Sequence, residues 1–216
     1  MQKTIRTTGS EQGTNSQDSG SLRERKHEFV LREIERAAWE LFATVGFDRA
    51  TVEEISRNAG VSRRTFFRYF RTKEELLFQI SRIAHEAALA VIPLEPSGSG
   101  DPAGHLRAAV VAFAAWHACH HTAARVAQYE LAALEPAHFR AVAALRLAIE
   151  RNFRKLIERG VAAGEFEVSD IPATALAILS LAIDLARWYQ PGSRHSPEEL
   201  GELYAALALR MVRPGG

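Results

Sequence analysis

The chain has little cysteine and no long uninterrupted apolar run. Cys119 is the only cysteine among 216 residues, which excludes an intrachain disulfide framework and a multi-cysteine zinc site and favours a reducing compartment. The most apolar segment, residues 172–190, is interrupted by Ser180, Asp184 and Arg187, so a clean membrane span of about 20 residues is not supported. The N-terminus lacks the apolar run of a signal peptide. We therefore expect a cytoplasmic protein without a membrane partner.

The chain also lacks an excess of charge of either sign. Its 27 Lys and Arg face 26 Asp and Glu, so the formal net charge is +1 and no overall field draws the protein to a polyanion. Binding to nucleic acid must then come from local clustering. A hydrophobic content of 47% in a chain of this length is enough for a substantial core.

The sequence patterns of an enzyme are missing as well. No segment alternates apolar and polar residues as a strand does, and the glycines of "PLEPSGSGDPAG" do not follow a strand, which argues against a phosphate-binding loop. Serine, histidine and aspartate occur without a nucleophile elbow, and Cys119 lies within a predicted helix. We predict a non-enzyme that needs no cofactor.

What is present is helical periodicity with recognisable caps from Arg23 onward. Thr51 with Glu54 and Thr72 with Glu75 form capping-box patterns, and Ser62 precedes a third helix. The sequence predicts an all-α fold of about nine helices. Its organisation is a disordered tail over residues 1–22, a helix-turn-helix domain over 23–80 and a helical ligand-binding and dimerisation domain over 81–216.

The stretch "VSRRTFFRYF", residues 61–70, is the strongest functional signal. From Ser56 to Lys73 the chain has six cationic side chains and no acidic one, whereas a solvated face normally mixes both signs. On a helical wheel, Phe66 and Phe70 point inward, and the outward residues are Arg64, Thr65, Arg68 and Tyr69. A short helix of this kind after a turn suits the major groove of double-stranded DNA, where arginine reads guanine.

Residues 26–80, with "AAWELFATVGFDRATVEEISRNAGVSRRTFFRYFRTKEELL", resemble the TetR-type transcriptional regulators. The resemblance implies that Arg63 and Arg64 read bases. It implies contacts to the DNA backbone from Thr51, Thr65, Phe67, Tyr69 and Lys73. Phe67 stands where the family usually has tyrosine, so a hydroxyl bond to phosphate is missing there. The cations Arg23, Arg25 and Lys26 either touch DNA or form a solvated arm.

The same resemblance implies a ligand pocket and a homodimer interface in residues 81–216. Residues 171–190 are apolar on nearly every side, which predicts a helix buried all round. The predicted dimer interface combines this helix with the apolar stripe of the last helix: Ile178, Leu200, Leu203, Leu207 and Met211. An intramolecular core helix is the alternative.

The predicted ligand-binding residues combine rings with charged groups that suit an anionic handle. They are Phe113, Trp116, His117, Arg125, Tyr129, Arg146, Asp184 and Trp188. Asp184, expected to be buried, needs a partner such as Arg125 or Arg146. A weaker resemblance of the C-terminal part to the repressors of fatty-acid and steroid catabolism implies an acyl-CoA effector.

A metal or redox sensor is the alternative, built on Cys119 with His117 and His121 four residues apart. The expected function is a ligand-responsive repressor that binds a palindromic operator as a homodimer and is released by a small-molecule effector.

Overall fold

The computed structural model describes residues 14–93 and 101–212, with side chains from Leu22 onward. This part of the chain forms nine α-helices, one 3-10 helix (Leu131–Ala133) and no strand, which confirms the predicted all-α class. The helices are α1 (Thr14–Val45), α2 (Val52–Asn58), α3 (Arg63–Tyr69), α4 (Lys73–Ala90), α5 (Pro102–Cys119), α6 (His121–Tyr129), α7 (Pro136–Ala162), α8 (Ile171–Trp188) and α9 (Pro197–Val212).

The predicted caps fix the starts of the short helices. The Thr51 hydroxyl accepts a hydrogen bond from the Glu54 amide at 3.2 Å, and the Glu54 carboxylate accepts one from the Thr51 amide at 3.0 Å. Ser62 caps α3 through the Thr65 amide at 3.0 Å. Because these bonds satisfy amides that have no partner inside the helix, two helices of only seven residues each have defined starts.

The start of the first helix differs from the sequence prediction. Helix α1 begins at Thr14 rather than near Arg23, so residues 14–22 continue a helix instead of belonging to a disordered tail. Extending a helix that packed turns have already nucleated costs little, which polar composition alone does not reveal. Residues 1–13 of the predicted tail and residues 94–100 of the predicted linker lie outside the described residues.

Helix α4 contributes to two hydrophobic cores. Its first half places Leu76, Leu77 and Ile80 in a core shared with α1, α2 and α3. Its last turn places Ala88 in a second core, formed mainly by α5, α7, α8 and α9. One continuous helix of 18 residues therefore joins the helix-turn-helix region to the C-terminal helices.

Helices α5 and α9 approach each other closely because α9 carries a glycine at the crossing. A Cβ added to Gly201 would lie 2.8 Å from the carbonyl oxygen of Val111, closer than real Cβ contacts come. The neighbouring Leu200 is buried in the same core. Any side chain at residue 201 would force the two helices apart.

Lys73, at the start of α4, holds the turn between α1 and α2. Its ammonium donates to the carbonyl oxygens of Phe47 at 2.6 Å and Ala50 at 2.8 Å, with that of Asp48 at 3.4 Å, and lies 4.1 Å from the centre of the Phe47 ring. An ammonium has three protons, and the turn engages all of them. In this conformation the donors of Lys73 are used inside the chain, so Lys73 must exchange a carbonyl partner to contact the DNA backbone, and that contact stays a prediction.

This arrangement predicts a stability defect in Lys73→Met, which keeps the length of the side chain but removes the donors. Part-buried carbonyls would lose a charged partner, so we expect the free energy of unfolding to fall by about 2 to 3 kcal/mol. Urea denaturation followed by tryptophan fluorescence measures it. Arg71→Met is the matched control, since it removes one exposed cation two residues away. Equal stability of both variants would contradict the assignment.

Candidate DNA-binding surface and effector cavity

Helix α3 is fixed by its rings and exposes its cations. Phe66 and Phe70 are buried in the N-terminal core, as the helical wheel predicts. The exposed side chains of α3 are Arg63, Arg64, Phe67 and Arg68, whereas Thr65 and Tyr69 are half-buried. The helix therefore presents a cationic outer surface on a rigid base.

The three arginines of α3 differ in how far they are already engaged. Arg63 forms an ion pair with Glu53 at 2.7 Å and lies 5.4 Å from the centre of the Phe67 ring. Arg68 lies 5.5 Å from the Tyr69 ring. Arg64 has no hydrogen bond or ion pair within the part of the chain that the structure describes. Its guanidinium is the one on α3 that is most available to a ligand.

The two predicted threonine contacts are also engaged locally. The Thr51 hydroxyl donates to the Glu54 carboxylate at 2.8 Å. The Thr65 hydroxyl shares a hydrogen bond of 2.9 Å with Ser62. Either hydroxyl must exchange a local partner to contact a phosphate.

A second feature is a cavity of about 480 Å³ among the helices α4 to α8. Its inner wall includes the buried residues His85, Phe113, His117 and Leu179. Its mouth includes exposed residues of α7 and α8: Phe139, Arg146, Leu147, Leu176 and Ser180. The cavity is thus open on the side of α7 and α8 and closed towards α4 and α5.

Four of the eight predicted ligand residues line this cavity: Phe113, Trp116, His117 and Arg146. The other four, Arg125, Tyr129, Asp184 and Trp188, lie outside it. Lining residues that the sequence analysis missed include His85, Gln128 and Glu150. His85 was detectable, because it shares one side of α4 with the buried Leu77, Ser81, Ala84 and Ala88.

The misplaced residues have structural partners. Arg125 donates to the carbonyl oxygens of Ala186 at 3.3 Å and Arg187 at 3.2 Å, near the end of α8. Asp184 is partly exposed and pairs with Arg187 at 2.7 Å, not with Arg125 or Arg146. The expectation of a buried carboxylate is therefore wrong, and the Arg187 guanidinium lowers the pKa of Asp184 by hydrogen bonding.

His85 and His117 are buried and neutral. Nδ1 of His85 lies 2.8 Å from the Ser81 carbonyl oxygen, and Nδ1 of His117 lies 2.8 Å from that of Phe113. Burial is the main cause that lowers the pKa of each imidazole to about 4. A carbonyl only accepts, so each Nδ1 carries the proton and each Nε2 is an acceptor.

The groups of the metal or redox alternative do not converge. Cys119 is exposed at the end of α5, and partial desolvation together with nearby Glu198 raises the pKa of its thiol, which disfavours the reactive thiolate. His117 is buried. Within residues 14–93 and 101–212, the one cluster with metal-ligand spacing is Glu74, Glu135 and His138, remote in sequence from Cys119.

The predicted dimer residues divide between surface and core. Leu203, Leu207 and Met211 are 47%, 45% and 38% exposed along α9. Ile178 and Leu200 are 2% and 4% exposed, because they pack inside the C-terminal core of the single chain. They cannot contact a partner directly.

Helix α8 is buried on one side only, since Leu176, Leu181 and Trp188 are exposed in the single chain. The single chain leaves one side of α8 uncovered, so burial all round stays a prediction for the dimer. By length and apolar composition α8 could cross a membrane, but a core helix passes the same test. Its buried side packs in the C-terminal core through Ala175, Leu179 and Leu185.

The buried histidines predict a stability that falls on acidification. An unfolded histidine titrates near pH 6.5 and these two near 4, so between those values the unfolded chain binds more protons and unfolding is favoured. From pH 7 to pH 5 each histidine should remove about 2 kcal/mol of stability. Below pH 4 both states are protonated, and the loss stops growing.

Urea titrations at pH 7 and pH 5 measure the loss as a difference between variants. His117→Asn keeps a donor for the Phe113 carbonyl but cannot titrate, so its stability should fall less than that of wild type. His120→Asn, at an exposed histidine, is the control. Parallel pH dependences of His117→Asn and wild type would contradict a buried neutral His117.

Comparisons with known proteins agree with this two-part arrangement. Residues 34–80 match the family model described as bacterial regulatory proteins, tetR family. Residues 99–212 match the model described as the tetracyclin repressor-like, C-terminal domain. The HTH-type transcriptional regulator TcmR of Streptomyces glaucescens is 39% identical over 77 residues, which are 36% of this chain and 34% of TcmR. The chain thus spans about a third of that curated relative.

Solved structures match over most of the chain. A bacterial regulatory protein in the tetR family from Rhodococcus RHA1 is 37% identical, with a TM-score of 0.81 over 87% of this chain and 98% of the other. AibR, solved with isovaleryl coenzyme A and operator DNA, has a TM-score of 0.73 over 82% of this chain and 97% of its own; at 16% identity it shows the fold alone. Both family models and the Rhodococcus structure establish that the chain belongs to the TetR family of bacterial transcriptional regulators.

Proposed function

We propose that this chain is a ligand-responsive repressor that binds a palindromic operator as a homodimer and leaves DNA when an effector enters the cavity. The observation that carries the proposal is α4, which starts against the helix-turn-helix and also lines the cavity through Ala84, His85 and Ala88. DNA-binding regulators act where the chromosome lies, so the proposed location is the cytoplasm.

The surface of α3 is the proposed reading head. Arg64 is exposed and has no competing partner among the described residues, which suits two hydrogen bonds to a guanine edge. Arg63 and Arg68 supply further positive charge, and Phe67, 44% exposed, can pack on the sugar-phosphate backbone. Because the net charge of the chain is only +1, the cationic surface of α3 supplies most of the proposed attraction to DNA.

The proposed dimer forms through the exposed sides of α8 and α9. These sides are adjacent, because α8 packs against α9 and the Tyr204 hydroxyl on α9 lies near the Trp188 side chain on α8. Leu181, Leu203 and Leu207 supply an apolar surface that a second copy can cover. Two helices from each copy would form a four-helix bundle, and its two-fold symmetry would match a palindrome.

The proposed signal travels along α4. Twelve residues separate Lys73, which holds the turn before α2, from His85 in the cavity wall, a rise of about 18 Å in one helix. Glu74 also ties the start of α4 to α7, by accepting from the Glu135 amide and His138 Nδ1, both at 2.9 Å. A ligand that displaces α4 therefore moves the base of the reading head. Switching from nearly all bound to nearly all free needs about 5.5 kcal/mol of differential affinity.

The effector is proposed to be a largely apolar molecule, because most of the cavity wall is hydrocarbon. An acyl-CoA is one form of this proposal, in which the acyl chain fills the cavity and the phosphates stay outside near Arg146. AibR, with the same fold, has been solved with such a ligand. Of the arginines proposed for an anionic handle, however, only Arg146 lines the cavity, and it already donates to Gln128 at 2.6 Å.

The reading-head proposal predicts that Arg64→Ala loses sequence preference. Selection from a random duplex library with wild type should give an operator, and Arg64→Ala should bind it more weakly by about 1 to 3 kcal/mol per half-site. Binding to unrelated DNA should change little. Arg107→Ala removes the same charge from the exposed surface of α5 and is the control. Failure to enrich any operator, or equal losses in both variants, would contradict the proposal.

The dimer proposal predicts that Leu203→Glu with Leu207→Glu gives a monomer. Two carboxylates in an apolar contact would remain desolvated and unpaired, so association should weaken by at least a factor of 100. Sedimentation velocity measures the mass of the particle. Leu22→Glu with Val161→Glu adds the same charge at exposed apolar residues of α1 and α7. A dimer that persists in the first variant would place the interface elsewhere.

A further inference from the structure

The inner wall of the cavity contains two histidines from different helices. His85 of α4 is 4% exposed and His117 of α5 is 2% exposed. The two rings are near each other, because a charge on His85 opposes protonation of His117 and contributes to lowering its pKa. Both line the cavity, at the side that is closed to solvent.

Each imidazole has one ring nitrogen in use and one without a partner. The Nδ1 atoms bond carbonyls of their own helices, so the Nε2 atoms lie at the opposite ring edge, away from those backbones. Among the described residues, neither Nε2 has a hydrogen bond, and that of His85 is fully buried. A buried acceptor without a donor costs about 1 to 3 kcal/mol.

Three other polar side chains of the wall already have partners within the chain, although Arg146 and the amide nitrogen of Gln128 keep further donors. Arg146 donates to Gln128 at 2.6 Å, and Glu150 pairs with Arg154. The Ser180 hydroxyl donates to the Leu176 carbonyl at 2.7 Å. The Nε2 lone pairs of His85 and His117 remain unmatched by the described residues on the inner wall, where a donor group of a ligand can meet them.

The rings beside the histidines favour a flat apolar body. Phe113 lies 4.3 Å and Trp116 lies 5.0 Å from the His117 ring, centre to centre. Such rings contact an aromatic ligand by edge-to-face or offset packing. A carboxylate or thioester offers no donor at neutral pH and would set lone pairs against the two Nε2 atoms.

We propose that the cavity is a site for a neutral, largely apolar aromatic ligand with hydroxyl groups, phenols in particular, that donate to Nε2 of His85 and His117. This inference rests on the proposed function, since it names the class of effector for the same cavity. A ligand bound in this way contacts α4 directly, because His85 is part of that helix.

The test is calorimetric titration of the DNA-free protein with four bisphenols and their dimethyl ethers. The bisphenols are 4,4′-dihydroxystilbene, 4,4′-dihydroxybiphenyl, bisphenol A and diethylstilbestrol, which offer different hydroxyl spacings. At least one bisphenol should bind about tenfold more tightly than its ether, the value of about one hydrogen bond. Ethers that bind as well as bisphenols, or no binding by any bisphenol, would overturn the inference.

Matched variants isolate the two nitrogen atoms. His85→Asn and His117→Asn keep a donor for the helix carbonyl but delete the Nε2 position, so each should reduce the preference for bisphenol over ether at least threefold. His85→Gln and His117→Gln can return an amide oxygen near Nε2 and should restore part of it. His120→Asn, whose Nδ1 makes the same kind of bond to Trp116 at 3.0 Å but is exposed, should change nothing.

Isovaleryl coenzyme A serves as the competing ligand. Binding of this thioester with an affinity that none of the histidine variants alters, together with no preference for bisphenols, would overturn the inference and favour the acyl-CoA form of the proposed function. Operator release is measured separately. A bisphenol that binds through the histidines without releasing DNA would contradict the proposed repressor and leave the ligand class standing.

Discussion

Helix α4 is one continuous helix that packs in both hydrophobic cores, and the other helices are arranged around this constraint. Leu76 and Ile80 pack under the helix-turn-helix, and Ala88 packs with the C-terminal helices. An unbroken helix does not absorb a displacement between its ends. The bonds from Lys73 and Glu74 fasten its first turn to the α1–α2 turn and to α7, so the proposed displacement of α4 would involve both.

Local structure such as helix caps could be predicted from the sequence, because it depends on residues that are neighbours in the chain. The box of Thr51 with Glu54 and the cap at Ser62 need only three residues each, and both formed as predicted. Long-range partners were not readable in the same way. Nothing near Lys73 in the sequence indicates carbonyls 23 to 26 residues earlier, and Arg125 gave no sign that its guanidinium meets the end of α8.

Apolarity also proved ambiguous, since it shows that a surface must be covered and not what covers it. Ile178 and Leu200 are covered by their own chain, whereas Leu203 and Leu207 are not. The cavity was harder still to predict, because five helices together enclose it and no single stretch of sequence encodes it. Small side chains help to leave that space: Ala84, Ala88, Ala124, Ala127 and Ala143. One arginine, one aspartate and two aromatic rings, namely Arg125, Asp184, Tyr129 and Trp188, were predicted to line the cavity but lie outside it.

Gly201 allows two of the C-terminal helices, α9 and α5, to pack in close contact and hold each other in place. With its backbone against Val111, α9 is locked to α5, and the Glu167 amide donates to the Val212 carbonyl at 2.9 Å to hold its last turn. Helix α5 forms one wall of the cavity, so that wall is held in place by α9. Under the proposed function, a ligand between α5 and α4 would therefore displace α4 with its attached turn rather than the braced pair of α5 and α9.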